Sequence, residues 1–132
     1  MAIRNVPLES AGPQVADVML RVPRTVTPET TVAEARELFE NPRVRLLLVA
    51  RAGAFLGAIR RESLPGDGAD DQPLDTLERA DRAVVSPHDP VVRAVELLDA
   101  HGTDRLPVVA DDGAIVGLVC FNRRRGHFCV DG

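Results

Sequence analysis

Apolar residues in this chain fall into short blocks whose spacing switches between helical and strand-like. Val32, Ala35, Leu38 and Phe39 recur on one face at helical spacing. Thr31-Val32-Ala33-Glu34 before them has the Ser/Thr-x-x-Glu form of a capping box, and Asn41-Pro42 after them stops a helix, because proline disfavours the α conformation in the residue preceding it. Leu46 to Val49 is a continuous apolar run of four residues, too short for a helix and typical of a strand covered on both faces. Ala52-Gly53 turns that run into a second strand, Phe55 to Ile59. With a short strand at Thr25 to Thr27, stopped by Pro28, the pattern predicts strand, helix, strand, strand.

The same series then recurs. Ala83 to Val85 predicts a strand, Asp89 a helix cap, and Pro90 the first helical position, where its missing donor costs nothing. Val91, Ala94, Val95 and Leu98 form the apolar stripe, and Gly102 is placed as a left-handed C-cap. Asp111-Asp112-Gly113 makes the tight turn between strands Leu106 to Val109 and Ala114 to Val119.

The two series align residue by residue. Thr25-Val26-Thr27-Pro28 answers Val84-Val85-Ser86-Pro87 at an offset of 59, and Val32, Ala35, Glu37 and Leu38 answer Val91, Ala94, Glu96 and Leu97. Arg45-Leu46-Leu47-Leu48-Val49, Gly53 and Gly57 answer Arg105-Leu106-Pro107-Val108-Val109, Gly113 and Gly117 at an offset of 60. The one extra residue falls in the turn after the second helix, where an insertion disturbs no packing. A period of this length is the signature of one supersecondary unit used twice, each copy too small to close its own core, so function is expected between copies. Five segments follow: a mobile N-terminal arm, or a strap over the domain, over 1–14, a first motif over 15–65, a Gly/Pro/Asp linker over 66–73, a second motif over 74–125, and a C-terminal tail over 126–132.

Composition narrows the class. A chain of 132 residues suits one domain and can bury roughly 68% of its unfolded surface. No apolar run approaches the ~18 residues that span a bilayer, and residues 1–14 do not read as a secretory signal, so a cytoplasmic location without membrane contact is expected. Cys120 and Cys129 then read as reduced thiols. Net charge is −4, and all sixteen basic residues are arginine, whose planar fork suits phosphate or carboxylate where it reaches a pocket mouth.

A Thr-h-Thr-Pro strand end, a capped helix, Leu106-Pro107-Val108-Val109, an Asp-Gly turn and Gly113-Ala114-Ile115-Val116-Gly117, in tandem, resemble the cystathionine β-synthase (CBS) domain pair, or Bateman module, over about residues 15 to 125. The resemblance implies an α+β fold: two tandem CBS-type β-α-β-β-(α) units packed about a pseudo-two-fold axis, with clefts that commonly bind adenosine nucleotides. It implies a regulatory sensor rather than an enzyme. It further implies a homodimer that passes its signal to a protein partner in trans, with no required cofactor and AMP, ADP, ATP or a related phosphorylated compound as regulatory ligand. The alternative is a degenerate pair that binds no ligand and serves dimerisation or protein interaction.

The family's cleft motif, Gly-h-h-Thr/Ser-x-x-Asp, is altered in both copies. Gly57-Ala58-Ile59-Arg60-Arg61-Glu62-Ser63 has arginine for the hydroxyl and serine for the aspartate; Gly117-Leu118-Val119-Cys120-Phe121-Asn122-Arg123 has cysteine and arginine there. Losing the ribose-holding carboxylate removes a charge-assisted hydrogen bond of ~1.5–3 kcal/mol, tenfold or more in affinity. What remains is cationic. The implied ligand-binding residues are Arg45, Gly57, Arg60, Ser63, Arg105, Gly117, Cys120 and Arg123, with Arg45, Arg60, Arg105 and Arg123 holding phosphates through bidentate forks.

Other chemistries find less support. Arg123-Arg124-Arg125 reads as a solvated charge run, and without Trp or Tyr the chain lacks stacking platforms for nucleic acid. Cys120, His127 and Cys129 lack the paired spacing of zinc folds, so no metal is expected. Ser63 and Ser86 have no assignable base, and His88 and His101 have no nucleophile or carboxylate partner, so no catalytic residues are expected.

Overall fold

The computed structural model describes residues 3–7, 14–21, 23–66, 68–74 and 83–131. In chain order the elements are β1 (Ile3–Pro7), β2 (Met19–Arg21), β3 (Thr25–Val26), α1 (Val32–Phe39), β4 (Leu46–Arg51), β5 (Ala54–Arg60), α2 (Val91–His101), β6 (Arg105–Val109), β7 (Ile115–Asn122) and β8 (His127–Asp131). They divide into two compact units: a continuous one, 24–82, and a split one assembled from 1–23 and 83–132. None of the described helices is long and apolar enough to cross a membrane.

In the continuous unit β3 runs parallel to β4, which pairs antiparallel with β5. The predicted capping box is present: the Thr31 hydroxyl accepts from the Glu34 amide at 3.2 Å, and Glu34 Oε1 accepts from the Thr31 amide at 3.1 Å. Ala52 and Gly53 both take positive φ, 52° and 83°, which matches the twist of the strands they join. Ala35 and Phe39 from the helix meet Leu47, Val49 and Ile59 from the sheet, and Leu74 completes this core.

Leu74 corrects a boundary. Expected to open the second motif, it is instead fully buried in the continuous unit, and its amide donates to Thr30 O at 2.8 Å. Amides at the start of α1 are satisfied the same way: Val32 N–H donates to Gln72 O at 2.9 Å and Ala33 N–H to Asp70 O at 3.1 Å. The stretch expected as a linker thus closes the first unit. Leu38, expected in the buried stripe, is 39% exposed, while Val32, Ala35 and Phe39 are the buried residues of the helix.

The split unit carries a five-stranded sheet in the order β1-β8-β7-β2, with β6 also paired to β7. Met19↔Val119, Leu20↔Leu118 and Arg21↔Gly117 tie β2 to β7, so residues placed in the first motif by sequence order build the unit of the second. An alanine Cβ at Gly117 would lie 2.4 Å from Met19 Sδ and 2.9 Å from Leu20 O, so the glycine is what lets β2 approach. Val15 and Val18 are buried beside Val91, Ala94, Leu98, Leu106, Val108 and Val119. Val15 N–H donates to Asp89 O at 2.9 Å and Ala16 N–H to Pro87 O at 3.0 Å, the counterpart of what residues 70–74 do at α1. Gln14-Val15 and Pro73-Leu74 share the 59-residue offset, so each unit is closed by the segment that precedes the other unit's strands and helix.

Three further expectations change. Ile3–Pro7, expected within a mobile arm, is a strand held along its whole length by β8, which itself occupies the expected tail; residues 8–13 lie outside the described residues. Ala83 to Val85 contributes a single parallel bridge, Val85↔Val108, instead of a strand. Asp89 does not cap α2: its carboxylate accepts from the Ser86 amide at 2.9 Å, closing the preceding turn, and Pro90 stands at the N-cap position. Gly102 is the left-handed C-cap as expected, with φ 60° and the Thr103 amide reaching Leu98 O at 3.1 Å.

Candidate functional site

The eight sequence-predicted residues lie at matching places in the two hairpins. In β4–β5 the pair Leu46↔Arg60 fixes the open end, so Arg45, just before β4, and Arg60, closing β5, share one end of the sheet. Arg45 is exposed and Arg60 half-buried. Ser63, half-buried, ends the 3-10 turn Arg61–Ser63 that follows directly. Gly57 is buried further back, opposite Val49, where a bulge follows at Val49/Ala50. Bulges re-aim strands, and β6–β7 carries the same one: Val108 faces Gly117 and the register shifts at Val108/Val109.

The corresponding end of β6–β7 is built differently. Arg105 faces Cys120 across the strands, and its Nη1 is 3.2 Å from Asp104 O and 3.4 Å from Asp104 Oδ2. Arg123 Nη2 donates to Thr103 O at 2.7 Å and lies 3.2 Å from Asp99 Oδ1, which fastens the chain after β7 to the end of α2. Both cations of this copy therefore have internal partners. Cys120 is only 4% exposed, and its thiol is pushed up to about 12, first by burial and then by a hydrogen bond with Cys129.

Two arginines that sequence reasoning passed over shape the continuous unit. Arg61 Nη2 donates to Phe39 O at 2.9 Å and Val44 O at 3.1 Å, and its guanidinium sits 5.4 Å above the Phe39 ring. Arg36 Nη2 donates to Pro65 O at 2.7 Å and Gly66 O at 2.8 Å, while Nη1 pairs with Asp70. With Phe39, Glu40, Leu64 and Pro65 they line a shallow groove of about 290 Å³. Arg61 and Arg123 do equivalent work, each donating to carbonyl oxygen at or just past the end of its unit's helix from the end of the neighbouring hairpin. An arginine just past the second strand of each copy was the available signal.

The model of the CBS domain matches residues 15–64 and 77–122. The chain belongs to the CBS domain family. Among solved structures, AcuB from Vibrio cholerae is 26% identical and superposes with a TM-score of 0.71, over 81% of this chain and 83% of that one. CBSX2, solved in complex with AMP, is 24% identical with a TM-score of 0.72, over 83% of this chain and 94% of that one. An A-adding tRNA nucleotidyltransferase of Aquifex aeolicus is 30% identical over 114 residues, 80% of this chain; the chain spans 13% of that relative's length. Both CBS matches fall on the repeated series read from the hydrophobic pattern.

Proposed function

We propose that this CBS pair is a regulatory module that takes a phosphorylated nucleotide, with the phosphates held by Arg45 and Arg60 at the open end of the β4–β5 hairpin. The carrying observation is the register Leu46↔Arg60, which brings both arginines to one end of one sheet. Two guanidinium forks there match the several oxygens of a di- or triphosphate. The AMP complex of CBSX2, at 24% identity, supports an adenosine nucleotide as the ligand class. No residue at the motif positions supplies the carboxylate that the family uses for ribose, so binding leans on phosphate and favours ADP or ATP over AMP.

The module acts by binding, not catalysis, and signals as a homodimer to a protein partner in trans. Both helices show an apolar residue to solvent, Leu38 at 39% and Val92 at 61%, which supports association through helix faces. A ligand that favours one dimer shape shifts the population the partner meets. A ligand-free pair serving only association is the second reading, favoured by the internal use of Arg105 and Arg123.

A thermal-shift series with AMP, ADP and ATP tests this. Ligand at a hundred times its dissociation constant stabilises by ~2.7 kcal/mol. ATP is expected to raise the melting temperature, AMP much less, and the double variant Arg45→Ala/Arg60→Ala to abolish the rise while remaining folded. An unchanged ATP response in that variant sinks the site; no response to any nucleotide in the parent protein favours the second reading.

A further inference from the structure

Strand β8 lies beyond residues 77–122, the second stretch matched by the family, yet it carries a thiol directed at one inside that stretch. The pairs Phe121↔Phe128 and Asn122↔His127 set the β7–β8 register. Continued by one residue, that register sets Cys120 opposite Cys129, and Cys129 is among the neighbours that push the Cys120 thiol up, after burial. Facing residues of an antiparallel pair have Cα atoms about 4.5–5.5 Å apart, inside the ~4.4–6.8 Å that a disulfide spans. Both cysteines are free, Cys120 buried and Cys129 half-buried. The neighbouring rings of Phe121 and Phe128 pack at 4.7 Å between centroids, which holds the strands together beside the thiols.

We propose that Cys120 and Cys129 are a thiol-oxidation site, at which a low-molecular-weight disulfide converts the pair into an intrachain disulfide fastening β8 to β7. Cys129, the more accessible, reacts first. Its thiolate bonds to one sulfur of the external disulfide, whose S–S bond breaks and releases one thiolate that takes up a proton. Cys120 then loses its proton, attacks Cys129 Sγ and expels the second external thiolate, which is protonated in turn. Two protein thiols are oxidised by two electrons and one external disulfide is reduced to two thiols. Burial disfavours the Cys120 thiolate, so the second step is the slower one and waits on transient local opening around Cys120. The inference rests on strand register and stands apart from the nucleotide reading.

The test incubates the full chain with oxidised glutathione, blocks remaining thiols with an alkylating reagent, and measures intact mass and non-reduced peptides. Both thiols should disappear together, with two hydrogens lost and a Cys120–Cys129 cross-linked peptide recovered. Closing a loop of about ten residues should raise the melting temperature by roughly 5–10 °C, reversibly with dithiothreitol. The variant Cys120→Ala should stop at a glutathione adduct on Cys129. A lasting adduct on the parent chain with Cys120 still alkylatable after denaturation, a disulfide between chains, or two unreacted thiols would each overturn the proposal. The parent chain alone decides it, whether or not the variant folds.

Discussion

The two units carry the same helix and hairpin with the same bulge after the same glycine pairing, yet they treat the ends of those hairpins differently. In the split unit Arg105 is tied to Asp104, and Arg123 to Thr103 and Asp99. In the continuous unit the fastening of helix to hairpin falls to Arg61, one position after Arg60. A duplicated scaffold thus keeps its geometry while the same few positions divide between cohesion and the ligand-facing role proposed for Arg45 and Arg60. In each unit an arginine just past the second strand does the fastening, Arg61 in one and Arg123 in the other.

The strongest way to break the comparison is through the cores. Phe128→Ala should cost about 3–5 kcal/mol and Leu74→Ala about 2–5 kcal/mol in denaturant unfolding, since both side chains are fully buried. Values below about 0.5 kcal/mol, as for surface changes, would return Phe128 to a tail and take Leu74 out of the continuous unit's core. Gly117→Ala should cost about 1–3 kcal/mol, because the new methyl displaces Met19 and presses on the Leu20 carbonyl; the circular-dichroism melting point reads it directly.

The fasteners come next. Arg61→Ala should lose about 1–2 kcal/mol, as two carbonyl contacts and a cation–π contact go together. Arg123→Ala should lose under about 1 kcal/mol, since one carbonyl contact and a solvent-screened ion pair go with it. A reversed order would mean that the split unit depends more on its fastener than the geometry indicates. The smallest effect belongs to Glu29, whose carboxyl Arg51 holds below its usual range through a side-chain hydrogen bond. A lowered folded-state pKa means that the pair stabilises above the ordinary carboxylate range and that the gain is lost as pH falls through the folded value. An NMR titration should place Glu29 below the ordinary glutamate value, and Arg51→Ala should raise it towards that value.

Local features were legible in the sequence and exchanged ones were not. The capping box at Thr31, the Ala52-Gly53 turn and the Gly102 cap are written within a few residues of where they act. The partner of Met19 is Val119, and nothing in the short apolar stretch around Met19 distinguishes a strand for the near unit from one for the far unit. Phe128 and its strand read as a tail because the arginine run and Gly126 before them look like a solvated end, although they form the turn of a hairpin. Of the candidate site, the 60-residue offset revealed Arg45 and Arg105. The fastening roles of Arg61 and Arg123 depend on where the helix-end carbonyls arrive in space, which spacing does not encode.

The exchange of closing segments also sets an order of events at the ribosome. The continuous unit is finished once Leu74 and the few residues after it have emerged, so its core can close while the rest is still being made. Strand β2 emerges earlier but meets β7 only a hundred residues later. At ~5–20 residues per second it waits on the order of 5–20 s as an unpaired edge, exposed to chaperones and to other nascent chains. Slowing or pausing translation after residue 82 therefore lengthens the exposure of Met19–Arg21 without touching the unit already formed.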